Sequence, residues 1–198
     1  MHTKSAAALC AAIASALMAL GASTATARNF SLSHQNIRIT FNNLEFDPGI
    51  AEPAICRITL EGSFHGRTTA KVAGSLIGYV TRVTTGQCST GEVTILTETM
   101  PWHVRYQGFS GRLPSISQII AKVFAASWRV SACLVRADIE FGAVRDLATG
   151  QMTGVNVPSQ ILPVSGLFCP VEQETIRSNG AGSSTVLGST TRITVTLI

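Results

Sequence analysis

Along much of the chain, apolar and polar residues alternate with a period of two, the pattern of a strand buried on one side. In the run 37–41, Ile37, Ile39 and Phe41 enclose Arg38 and Thr40. Cys56, Ile58 and Leu60 alternate with Arg57, Thr59 and Glu61. Trp102, Val104 and Tyr106 alternate with His103, Arg105 and Gln107. The chain closes with Ile193, Val195 and Leu197 set against Arg192, Thr194 and Thr196. Residues 72–83, 93–97 and 134–141 also read as strands. A short segment at 161–164 is bracketed by Pro158 and Pro163.

Turn residues separate these runs. Asp47-Pro48-Gly49, the glycine-bounded stretch 85–91, and 108–114 with its two glycines and a proline are reversal signals. Residues 28–36 read as a frayed polar start, and 172–184, with Gly180 and Gly182, as a loop. Residues 115–128 carry two periodicities. Ile116, Ile119, Ile120, Val123 and Phe124 fit a helix behind a Ser115 cap, whereas Ile119, Ala121 and Val123 fit a strand. The surrounding strands favour the second reading. With no alternation of strands and helices, the expected architecture is all-β: an antiparallel sandwich or barrel of about nine or ten short strands in one domain, residues 28–198. The framework is expected to be stabilised by disulfides.

The start of the chain has a different character. Lys4 precedes an apolar stretch of Ala and Leu, and Ala25-Thr26-Ala27 is a small-x-small cleavage signal. Residues 1–27 therefore read as a cleaved signal peptide, which places the protein outside the cytoplasm. Cys10 lies inside the apolar stretch and not after it, which argues against a lipid anchor. No later segment approaches the unbroken apolar length of a membrane helix, so none is expected in the mature chain.

Composition narrows the classes. The 198 residues are 45% hydrophobic and only 13% charged, which suits a folded core and not disorder. A formal charge of +4 without a basic cluster gives no reason to expect nucleic acid as a partner. After the leader every basic residue is arginine except Lys71 and Lys122. Cys56, Cys88, Cys133 and Cys169 remain in the mature chain, an even count that implies disulfides in an exported protein. Three connectivities exist. Sequential pairing, Cys56 with Cys88 and Cys133 with Cys169, is favoured because it joins neighbouring strands.

The runs 76–82 (Leu-Ile-Gly-Tyr-Val-Thr-Arg), 101–106 (Pro-Trp-His-Val-Arg-Tyr) and 108–111 (Gly-Phe-Ser-Gly) resemble segments of a family of uncharacterised secreted actinobacterial proteins. The resemblance extends over most of the mature chain and includes the four cysteines. It implies export and a compact β-rich domain, and brings no activity, ligand or catalytic residue with it.

Enzyme signatures are absent: GxSxG, HExxH, the P-loop and GxGxxG do not occur. His65 with Asp138 or Asp146 is the least poor triad fragment, without support from spacing. Asp138/Glu140 and Glu172/Glu174 put two carboxylates on one side of a strand, about 7 Å apart by the strand rise. A solvated face explains them more simply than a glycosidase pair. No cofactor or metal site is indicated. Trp102, Val104 and Tyr106 read as the core side of their strand, because His103, Arg105 and Gln107 occupy the other. Arg38, Arg57, Arg105 and Arg192 all fall at polar positions of alternating strands, which brings them to the outer surface. They keep the sheets soluble or form a shallow basic face for an anionic envelope polymer or glycan. The expected function is a secreted, non-catalytic β-domain with a structural or binding role at the cell envelope. The alternatives are a small secreted hydrolase with a loop-built site and a β-barrel carrier of an apolar ligand.

Overall fold

The computed structural model describes residues 29–47, 52–112, 115–130, 133–144, 151–153, 156–162, 173–178 and 182–197. The proposed signal peptide and Cys169 lie outside the described residues, as do Asp146 and Glu172. Strands account for nearly all of what is described. They are β1 (Asn29–Leu32), β2 (Asn36–Asp47), β3 (Ala54–Phe64), β4 (Thr68–Ala70), β5 (Leu76–Cys88), β6 (Val93–Ile95) and β7 (Trp102–Arg112) in the first half. β8 (Ser115–Val130), β9 (Cys133–Val144), β10 (Gln151–Thr153), β11 (Asn156–Leu162), β12 (Gln173–Ser178), β13 (Gly182–Val186) and β14 (Val195–Leu197) follow.

Eleven strands form one antiparallel sheet in the order β12-β11-β9-β10-β13-β2-β3-β5-β7-β8-β6, with further pairings β12–β2 and β9–β8. The layers are sandwich-like and continuous at their rims, because β12 pairs with β11 on one side and with β2 on the other. β14, β1 and β4 form a separate three-stranded sheet.

The period-two runs bury the side that the pattern predicts. On β7, Trp102, Val104 and Tyr106 are buried while His103 and Arg105 are exposed. Phe46 of β2 meets Trp128 of β8 edge-on at 5.8 Å between ring centroids. These strands are not ladder neighbours, so the contact crosses the interior. The void between Phe41, Phe46, Ile58, Trp102, Val123 and Trp128 measures about 40 Å³. Ligand pockets are typically about 300–1,000 Å³, so these side chains leave no lumen of that size. Burial also pushes the Tyr106 phenol above its ordinary range, because the ionised form is poorly solvated there.

Four expectations about local structure are corrected. Residues 29–32 are strand β1, with Phe30 only 1% exposed and in ring contact with Tyr106. The polar stretch 172–184 contains β12 and β13, anchored by fully buried Ile176 and by Gly182 against the Phe41 ring. The strands number fourteen among the described residues, more than the nine or ten expected. The C-terminal strand is shorter than the run 192–197 and joins the small sheet, where Phe30 faces Leu197.

That last placement sets a measurable cost for the C-terminus. Deleting residues 190–198 removes β14 and the two hydrogen bonds joining Ser33 to Thr194. It also strips half-buried Val195 from the core. The cost is about 1.5–3 kcal/mol, a buried aliphatic side chain's worth. A thermal melt of the shortened chain should fall by roughly 4–10 °C. An unchanged midpoint would show that β14 is an ornament on the fold.

Residues 115–130 are one strand, and its mixed periodicity has a local cause. Ala125 has φ 59°, and the β8–β9 register shifts between Val123 and Ala126. This bulge moves the inward phase from Ala121 and Val123 to Ala126 and Trp128. The Asp138 carboxylate accepts the Ala125 amide hydrogen at 3.0 Å and so satisfies the donor that the bulge frees.

Candidate functional site

Of the four arginines of the expected basic face, Arg38 and Arg192 share one row across the strands, while Arg57 and Arg105 lie apart from it. Arg38 on β2 sits across from Glu61 on β3, and both its Nε (2.9 Å) and Nη2 (2.8 Å) reach the same carboxylate oxygen. Arg192 bridges to Thr185, which in turn faces Arg38, so these two arginines lie in one row across the strands. Arg82 of β5, opposite Glu61, extends that row, with its Nη1 3.7 Å from the second Glu61 oxygen. Its side chain is 72% exposed. Arg57 lies farther along β3, beyond the row of Thr40, Thr59 and Thr84, with its stem beside Gly86. Arg105 projects from β7 on the other side, and its Nη1 donates to the Gly74 carbonyl at 3.1 Å.

Between Arg82 and Arg105 runs a row of rings that sequence reasoning did not single out. Ser63 of β3 faces Tyr79 of β5, Tyr79 faces His103 of β7, and His103 faces Phe124 of β8. All occupy outward positions. The Tyr79 ring contacts His103 edge-on at 5.2 Å and His65 at 4.9 Å. Arg105 and Lys122 stand opposite each other on β7 and β8, and both approach the Phe124 ring, at 5.5 and 5.6 Å.

Local backbone chemistry sets this row. A Cβ at Gly62 would overlap the Tyr79 carbonyl, and one at Gly78 the Ser63 carbonyl. The two glycines let β3 and β5 approach closely, which brings His65 to the Tyr79 ring. Register shifts at Glu61/Gly62 and Leu76/Gly78 place Tyr79 in line with His103. The only sequence signal for the row was aromatic residues in the polar phase of strands, namely Tyr79 and Phe124.

The electrostatics are lopsided. The row is flanked by Arg38 and Arg82 on one side and by Arg105 and Lys122 on the other. Glu61 answers Arg38 and Arg82. Glu140 faces Lys122 across β8–β9, and among the described residues no ion pair joins them. Like charges directly opposed on neighbouring strands repel. Arg105 and Lys122 are held so, sharing one aromatic ring as partner.

The other candidate chemistry is dispersed. Asp138 serves the Ala125 bulge, and His65 is engaged with the Tyr79 ring. Among the described residues, no group of three or more His, Cys, Asp or Glu side chains converges on a point. Cys56 and Cys88 are joined, directly paired across β3 and β5 with Cα atoms 4.0 Å apart. Cys133 is also disulfide-bonded. Among the described residues no helix is long and apolar enough to cross a membrane.

No protein-family model matches the chain, and no curated protein or solved structure matches it significantly.

Proposed function

We propose that this is an exported, non-catalytic binding domain of the cell envelope whose ligand is an acidic polysaccharide. The observation that carries the reading is the outer-face row of Tyr79, His103 and Phe124 bordered by Arg82, Arg105 and Lys122. Ring faces suit the apolar C–H face of a sugar. The guanidinium groups and the ammonium suit its carboxylates, with arginine offering a planar fork. Strand-to-strand spacing of about 4.8 Å sets the rings along a line, which favours an extended polymer over a compact ligand. The disulfide between Cys56 and Cys88 is compatible with an extracellular location. Arg38, Arg57 and Arg192 would guide the approach of the polymer and not grip it.

Affinity electrophoresis in gels containing polygalacturonate tests this directly. The folded chain should be retarded by polygalacturonate and not by neutral dextran, and added salt should release it. The double variant Arg82→Gln/Arg105→Gln should weaken retention about tenfold, since each exposed charge contributes up to about 1 kcal/mol. Tyr79→Ala should weaken it about threefold or more through the lost stacking surface. Equal retardation by dextran, or no retardation of a chain with an intact melting transition, rules the proposal out.

A further inference from the structure

At one corner of the fold, away from the Arg105–Lys122 pair, is a recess of about 580 Å³. It lies where the β1–β2 turn, the residue before β4 and the end of β13 meet. Its volume falls in the range of small-ligand sites, about 300–1,000 Å³. Its walls differ in chemistry. Arg67 and His34 supply the cationic and ring N–H groups, Asn36 an amide, Gln35 a second amide whose Nε2 also donates to the His65 carbonyl at 3.4 Å, and Val186 and Leu187 an apolar side. None of the lining residues is acidic.

Arg67 is held at both ends. Its carbonyl accepts the Leu32 amide hydrogen at 2.7 Å, and its Nε donates to the Leu32 carbonyl at 3.2 Å. This spends one donor on the fold, and no partner among the described residues takes the two terminal nitrogens. They form the end-on fork that suits a carboxylate. The Ser33 hydroxyl orients His34. Its oxygen accepts the Thr194 amide hydrogen at 3.0 Å, so its own proton is directed elsewhere. His34 Nδ1 lies 3.2 Å away and can accept it. A neutral ring then carries its proton on Nε2, as a second donor. The apolar wall is anchored as well, because the Leu187 amide donates to the Asn36 carbonyl at 3.2 Å. Leu187 is nevertheless 39% exposed, with Val72 one of two large apolar side chains left open to solvent among the described residues.

We propose that this recess binds the C-terminal residue of a peptide with an aliphatic side chain. The carboxylate sits on Arg67 and His34, the preceding peptide group pairs with the Gln35 and Asn36 amides, and the side chain lies on Val186 and Leu187. The two amides beside the cation distinguish this ligand from a plain fatty acid, which has nothing for them to bind. The inference does not depend on the polysaccharide reading.

The test is an amide-resolved NMR titration of the folded chain with N-acetyl-L-leucine. Saturable shifts are expected at 33–36, Arg67 and 186–187. N-acetyl-L-leucinamide, which lacks the carboxylate, should bind at least about tenfold more weakly, as should 4-methylpentanoate, which lacks the amide. Arg67→Gln should cause a similar loss. Because Arg67 also steadies β1, Leu187→Asp serves as the second variant, with an unchanged melting transition as the check that it folds. Equal binding of the leucinamide overturns the carboxylate assignment, and equal binding of 4-methylpentanoate overturns the peptide assignment. No saturable shift up to tens of millimolar, or undiminished binding to Leu187→Asp, overturns the site.

Discussion

Replacing Trp128 with alanine will lower the melting temperature by roughly 10–15 °C, from a loss of about 3–5 kcal/mol. Trp128 is among the largest fully buried side chains, 1% exposed, and meets Phe46 from the facing layer. The void beside it is already about 40 Å³ and apolar, so the new space would join one that water does not favour. The neighbours cannot collapse into it easily, because β8 is pinned at this point by β6 on one side and β9 on the other. Trp128→Phe should recover much of the loss. If the alanine variant melted within 3 °C of the parent, the core would not be organised around this ring.

The double variant Cys56→Ala/Cys88→Ala will lower the urea midpoint by roughly 1–2 M, from a loss of about 3.5–4 kcal/mol. The two residues are 32 apart in sequence, so the bridge removes many conformations from the unfolded chain. In the native state they are already opposite each other on paired strands, so the ladder holds the geometry without the bond. The stabilisation therefore acts chiefly on the unfolded chain. The variant should keep its far-ultraviolet spectrum, and its slope with urea should rise because the unfolded chain, freed of the bridge, exposes more surface. A midpoint within 0.3 M of the parent would show that the unfolded chain gains little freedom from losing the bridge.

The all-β architecture was legible because β2, β3 and β7 each bury one side and wet the other, so composition along the strand reports its orientation. The Cys56–Cys88 pairing was legible for a related reason: the strands bearing the cysteines are neighbours in the ladder. β12 and β13 escaped notice because their sequences are mostly polar, and β1 because its alternation spans only four residues. They are strands by virtue of partners: Phe30 and Ile176 are anchors whose burial depends on residues far away in the chain. β8 looked partly helical because Ile120 and Phe124 are apolar on the outer side. Phe124 faces outward where His103, Arg105 and Lys122 surround it. The local ambiguity in the sequence was thus a trace of the site. What alternation could not give was the lateral order of strands. Tyr79, His103 and Phe124 come from three strands, and their alignment depends on two register shifts and two glycines.

The rims of the large sheet bear on how this protein meets other molecules. Among the described residues, the strands with a single ladder partner are β6 in the large sheet and β4 and β14 in the small one, each three residues long. Beyond these, the far half of β5, past Val80, has β3 alone beside it in the ladder. Among the described residues, β7 past Tyr106 likewise has β8 alone beside it, as does β9 between Arg136 and Gly142. A foreign strand seeking to extend the sheet is confined to these stretches, and growth into fibrils would have to start from them. Across the row of Tyr79 and His103, where β3, β5, β7 and β8 are paired side by side, recognition is read through side chains on a finished surface, so specificity can change by substitution at outward positions such as 79 or 105 while the ladder beneath stays as it is.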